Sequence, residues 1–311
     1  MEITIRRRVN HSKNLLLDPY PKLVVLLYHR ILPSARFDPF DAIVSVKVFE
    51  AQLEHLMRRY PIVSLTDAIQ QKATPREIRV AITFDDGYED NYEVAFPILQ
   101  DKGISATFFV PTDFIGSGNP MWDWEVMVRL CSARRVDEIR VGETLLSRLT
   151  GESNVSFAFR VIQQLRAAEL PSMYQVLNEL RKSDNGRDDP ENLGKCMQWE
   201  HLRELIKGGM EVGAHAASHR TLALLPRAEA ISEIAKSKQT IERQTNCPCK
   251  HFAFPFGGKG DYNETLVNAV RSAGFMTCLL GVHGYNRSSQ DGFCLKRIVV
   301  TENTDLRHLL G

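Results

Sequence analysis

The sequence predicts an α/β fold in which short parallel strands alternate with crossover helices. Short apolar runs recur along the chain, amphipathic helical stretches separate most of them, and 311 residues are enough for one large α/β or barrel domain. Hydrophobic residues at 43% and charged residues at 25% are ordinary globular values, which excludes a disordered, collagen-like or coiled-coil chain.

In chain order, the apolar runs Leu23–Tyr28, Arg79–Phe84, Ser105–Val110, Glu211–Ala214, His251–Phe254, Phe275–Leu280 and Leu295–Val300 read as strands, with a shorter one near Ile62–Leu65. Glu89–Lys102 has a helical pattern closed by Gly103. Pro226–Gln244 follows, with Pro226 near its first turn and Ile231, Ile234 and Ile241 on one face. Asp261–Ala273 stops at Gly274 in the same way. Residues 120–195 break the rhythm: they show no convincing strand, but helical material at Trp124–Ser132, Phe157–Ala168 and Pro171–Lys182, then a polar stretch, Ser183–Asn192. This is expected to be a helical insertion shaped like a lid, within a barrel domain spanning 21–311, and residues 1–20 are expected to be an arm.

Lys plus Arg number 39 against 38 Asp plus Glu, a formal charge of +1, so no overall field recommends nucleic acid or an anionic membrane as partner. Leu23–Leu27, the longest apolar run near the start, falls far short of the ~20 residues of a spanning helix and precedes no cleavage site. The expectation is a cytoplasmic protein without a transmembrane segment, peripheral membrane contact being left open. Cysteines at 131, 196, 247, 249, 278 and 294 are too scattered for the disulfide framework of a small secreted domain and read as free thiols. Cys247-Pro248-Cys249 lacks the second pair that a structural zinc site wants.

Polar or unusual backbone features fall directly after four of the strands: His29, Asp85-Asp86-Gly87, His215 and Pro255-Phe256-Gly257. In a parallel barrel those strand ends converge on one mouth, which is where catalytic side chains collect. Singly, each feature has a plain reading: Asp-Asp-Gly is a turn, His215 and His219 are a chance HxxxH, and His29 is an ordinary histidine. Together, two imidazoles and a carboxylate make a ligand set for Zn2+ or a similar ion with positions left open. Two adjacent carboxylates repel each other, and a dication lets their roles diverge, one binding metal and the other handling a proton.

Thr83-Phe84-Asp85-Asp86-Gly87 and His215-Ala216-Ala217-Ser218-His219 resemble the first two motifs of the polysaccharide deacetylases, the NodB-homology or carbohydrate esterase family 4 enzymes. The resemblance runs from about Val24 to Val300, outside the insertion. It implies a distorted, TIM-like (β/α)7–8 barrel, Asp85 as base, and one divalent ion, Zn2+ with Co2+ or Ni2+ as alternatives, on Asp86, His215 and His219. Phe252-Ala253-Phe254-Pro255-Phe256-Gly257 is similar to the third motif, with Ala253 where the family carries the Arg that pairs with the base. The same substitution occurs in a permuted branch, the poly-N-acetylglucosamine deacetylases, whose last motif sits at the front. Leu26-Leu27-Tyr28-His29 resembles that motif and implies His29 as acid, with His283 competing and Arg297 a candidate for the absent positive charge.

The resemblance implies a metal-dependent hydrolase that removes an N-acetyl group from an amino sugar in a glycan or glycan precursor and releases acetate. Phe256 would offer a backbone N–H to the oxyanion. Trp122 and Trp124 are candidates for stacking on a sugar and equally for packing. With no export signal expected, a cytoplasmic nucleotide- or lipid-linked precursor is the preferred substrate. Two alternatives stay open: a catalytically inactive sugar-binding protein, motivated by Ala253, and a hydrolase of a non-sugar amide or cyclic imide on the same barrel. Nucleotide folds are disfavoured because Gly257-Gly258-Lys259-Gly260 has neither dinucleotide nor P-loop spacing.

Overall fold

The computed structural model describes residues 22–310 apart from 35–36, 72, 75, 133–135, 184–193 and 288–290, so the expected arm and most of the polar stretch of the insertion lie outside the described residues. Lys22–Tyr28 (β1) is buried at every position, as a strand covered on both faces must be. It is followed around the molecule by Ile78–Phe84 (β2), Thr107–Val110 (β3), Glu211–Ala214 (β4), His251–Ala253 (β5), Thr277–His283 (β6) and Leu295–Val299 (β7). Each pairs in parallel with the next, and β7 returns to β1, closing a seven-stranded barrel. Closure removes the exposed edges that an open sheet would present.

Strand alternation divides the core in two. Leu23, Val25, Ala81, Phe109, Ala253, Leu279 and Leu295 form their own cluster inside the barrel, with Leu65 and Ala68 beneath it. Their neighbours Val24, Leu26, Tyr28, Val80, Ile82 and Phe84 join the larger cluster shared with the helices. At Gly213 in β4 a Cβ would lie 2.5 Å from the Phe109 ring, so that glycine makes room for the one large aromatic of the interior cluster.

Several expectations are corrected. Ile62 makes only an isolated bridge to Val80, and Leu65 starts a helix capped by the Ser64 hydroxyl, so Ile62–Leu65 is not a strand. Ile231 is exposed while Ile234 and Ile241 are buried, so the three do not share the buried face of Arg227–Thr245. The insertion holds the helices Trp122–Ser132, Asn154–Leu165 and Leu170–Ser183, but also an antiparallel hairpin, Glu138–Val141 with Thr144–Ser147. Its alternating burial and the left-handed Gly142 at its turn (φ +58°) are the local signal that the helical reading passed over. Pro120 and Lys195 bridge antiparallel, which closes the base of the insertion.

A polar network fills the end of the barrel where the strands begin. Glu211 accepts from the Leu65 N–H (3.0 Å), the Thr66 N–H (3.3 Å) and the Thr107 hydroxyl (2.8 Å), and His251 Nε2 lies 3.5 Å away. Burial pushes the Glu211 carboxyl up, but the hydrogen bond and charge of His251 and the Thr hydroxyls outweigh it and hold it at about 2. A depressed acid stabilises the fold above its unfolded pKa and loses that contribution as pH falls. Glu211→Gln is therefore expected to cost about 3 kcal/mol at pH 7 in urea unfolding. The gap to the parent should persist down to about pH 4.3 and close as pH approaches about 2; equal stability at pH 7 would count against the network.

Candidate active site

The rim where the strands end is built by backbone that few side chains adopt. Asp85 N–H continues the sheet ladder by donating to the Tyr28 carbonyl (3.0 Å), after which Asp86 (φ +73°) and Gly87 (φ +66°) are both left-handed. Ala216, His219 and Phe256 are left-handed too (φ +58°, +55° and +60°). Such residues each cost of order 1–3 kcal/mol and persist only where the surroundings hold them. After β4 the holder is Glu233, a buried carboxylate that accepts from the Ala217 and Ser218 N–H groups (2.9 and 2.8 Å) and from the Ser218 hydroxyl (2.8 Å). After β5 it is Gly281, where a Cβ would lie 2.3 Å from the Phe256 carbonyl, so only glycine lets that loop seat against β6.

The turn at Asp86 sends the two carboxylates to different partners. Arg297, from β7, donates Nη1 and Nη2 to Asp85 Oδ1 and Oδ2, both at 2.7 Å, and its Nε donates to the Leu280 carbonyl (2.9 Å). Burial pushes the Asp85 carboxyl up, and the Arg297 guanidinium with His215 brings it below the usual carboxylate range. Asp86 Oδ1 faces His219 Nε2 at 3.1 Å and His215 Nε2 at 3.5 Å, and the three groups' ligand atoms lie within 4.8 Å of one another, all buried. Against the cost of burial, the two histidines hold Asp86 well below the ordinary value.

The donor set fits a divalent cation. His215 Nδ1 sits 2.8 Å from the Ala253 carbonyl, which can only accept, so that nitrogen carries a proton and Nε2 is the atom left to face a cation beside Asp86. His219 Nε2 likewise faces Asp86, while its buried Nδ1 makes no hydrogen bond and lies 3.7 Å from Asp123 Oδ2.

A sequence model described as polysaccharide deacetylase matches residues 72–278. The chain belongs to the polysaccharide deacetylase family, of NodB or carbohydrate esterase family 4 type. Bacillus subtilis (strain 168) YxkH, whose own name carries that family, is 37% identical over 99 residues, which cover 30% of this chain and 34% of that relative. The fold is similar to that of the Streptococcus pyogenes deacetylase PplD in complex with acetate (TM-score 0.58, 19% identity, 93% of this chain and 96% of that one). IcaB from Ammonifex degensii has a TM-score of 0.57 at 21% identity over 90% and 92% of the two chains.

Arg297 stands on β7 and reaches Asp85, so the positive charge expected to be absent with Ala253 is supplied from another strand. His29 is half-buried just after the end of β1, and its Nδ1 is buried without a hydrogen bond. His283, the competing acid, ends β6 and is exposed. Phe256 packs its ring 5.0 Å from that of His219, and its backbone N–H has no partner among the described residues. Trp122 is fully buried and donates its indole N–H to the His219 carbonyl (3.1 Å), so no face of its ring is open to a sugar, and Trp124 is buried as well. Sequence reading missed Asp123 and Glu233, since neither stands in a motif or directly after a strand.

Removing Arg297 strands a buried carboxylate. Arg297→Ala is expected to lower the unfolding free energy at pH 7 by about 3–5 kcal/mol. Adding Asp85→Asn should restore part of the loss, and a double variant no better than the single one would show that the pair does not couple.

Proposed function

We propose that this family member hydrolyses an N-acetyl group from an amino sugar and releases acetate, and that one divalent cation on Asp86, His215 and His219 takes part. The supporting observation is the separation of two consecutive carboxylates, one facing two histidine Nε2 atoms and the other held by a guanidinium. A cation bound there supplies a Lewis acid that acidifies water and polarises the acetyl carbonyl. Asp85, kept ionised and oriented by Arg297, accepts the proton of the attacking water. Phe256 offers its N–H to the oxyanion, a contribution of about 3 kcal/mol where such a donor is preorganised. His29 delivers the proton that the amine needs in order to leave. The inactive-protein reading loses its motivation, because the positive charge absent at Ala253 is present at Arg297.

The ion is proposed to be Zn2+, with Co2+ or Ni2+ as substitutes, and the substrate a nucleotide- or lipid-linked precursor. No helix among the described residues is long and apolar enough to cross a membrane.

Metal content and acetate release separate the roles when Zn2+, Co2+ or Ni2+ is added back to stripped protein with a panel of acetylated sugar donors. Asp86→Ala is expected to lose both. Asp85→Asn should keep its metal while turnover falls by about 10²–10⁴-fold. Full turnover by Asp86→Ala would overturn the assignment. Asp123→Asn is expected to weaken metal affinity by about 10–100-fold in a competition titration, as loss of a carboxylate behind a ligand histidine does; unchanged affinity would reduce Asp123 to a packing role.

A further inference from the structure

Cys278 and Cys294 meet on the side of the barrel away from the rim. β6 and β7 pair in parallel with Leu279 opposite Leu295, so Cys278 on β6 stands beside Cys294, the residue that immediately precedes β7. Parallel strands run about 4.8 Å apart at the adjoining Leu279–Leu295 pair, and a disulfide spans roughly 4.4–6.8 Å between Cα atoms. The Cys294 N–H donates to Cys278 Sγ at 3.2 Å, and the two thiols are close enough to perturb each other's titration in opposite directions. Cys294 is left-handed (φ +59°), a conformation that favours glycine, and this turns the chain just before β7 so that its backbone N–H meets Cys278 Sγ. Cys278 is buried, whereas Cys294 is half-buried.

We propose that Cys278 and Cys294 form a redox-active dithiol, which a hydroperoxide converts to an intrachain disulfide. The Cys294 thiolate attacks the peroxide O–O bond, becomes a sulfenic acid and releases water or the corresponding alcohol. Cys278 sulfur then attacks Cys294 Sγ, the S–O bond breaks, and the second oxygen leaves as water. Two thiol hydrogens and two electrons pass to the peroxide in all. The environment assigns the order of events. The hydrogen bond from Cys278, aided by Arg271 and opposed by burial and Asp291, brings the Cys294 thiol down to about 7, while Tyr262 is the other titratable group facing the pair. Burial pushes Cys249 up to about 12 and Cys196 well above its ordinary value, and Cys131 is raised as well, so these thiols are poor competitors. The bridge would tie the residue just before β7, the strand of Arg297, to β6, whose Leu280 carbonyl accepts from Arg297 Nε.

The test uses the full chain with hydrogen peroxide at pH 7, followed by alkylation and non-reducing peptide mapping. Trypsin cuts at Arg287 between the cysteines, so the expected product is a pair of linked peptides from an otherwise monomeric chain, abolished by dithiothreitol. Cys294→Ser should abolish the bridge, and Cys278→Ser should leave Cys294 as a sulfenic acid trapped by dimedone. Cys294 oxidised to sulfinic acid in the parent with no bridge, a bridge between two chains, or another cysteine reacting first would each overturn the proposal. The parent map decides without either variant having to fold.

Discussion

Asp85 and Asp86 are consecutive and both buried, and two like charges so placed cannot both stay ionised in apolar surroundings unless each finds its own counter-charge. The left-handed turn at Asp86 is the solution, since it rotates the second carboxylate away from the first. Arg297 answers one and the histidine pair the other, and neither partner is near them in sequence. Much of the rest of the architecture supports that division: Glu233 holds the His215–His219 loop, Ala253 supplies the carbonyl that orients His215, and Gly281 seats the Phe256 loop.

Closure of the barrel makes these meetings possible. β7 lies between β6 and β1, so Arg297 can point across the interior to the end of β2 while its Nε is fixed by a carbonyl of β6. At the opposite end Glu211, His251 and the Thr66, Thr107 and Thr277 hydroxyls fill the space with a second polar network. Between them lies a short apolar cluster that isolates the two polar layers. Low dielectric around each pair strengthens it and makes loss of either member costly.

The seven strands were legible because each is an apolar run, and the rim residues because they stand directly after strands. Asp85, Asp86, His215 and His219 need only that topology to become neighbours. Arg297 was a weaker signal: it lies inside a strand, where sequence shows a charged residue in an apolar run but not the face it takes. Asp123 and Glu233 carried no signal, since their importance depends on how a helix packs over a loop. Trp122 stayed ambiguous because tryptophan suits both stacking on sugar and filling a core, and its full burial here is the packing arrangement. The Glu138–Ser147 hairpin was missed because only its first strand alternates, over four residues, while Thr144–Ser147 does not.

The insertion is more than a cover. Trp122 grips the His219 carbonyl, Asp123 stands behind the His219 ring, and Arg166, at the end of Asn154–Leu165, lays its guanidinium 4.0 Å from the centre of the Phe256 ring while pairing with Asp261. Asp261 in turn accepts from the Gly258 N–H (2.8 Å), which fixes the loop after β5. Two of the four strained rim residues that are not glycine, His219 and Phe256, therefore depend on contacts from a segment outside the barrel. Strained backbone needs surroundings that over-determine it. The barrel brings the charged groups together, and the insertion supplies the packing that holds His219 and Phe256 in the conformations their placement requires.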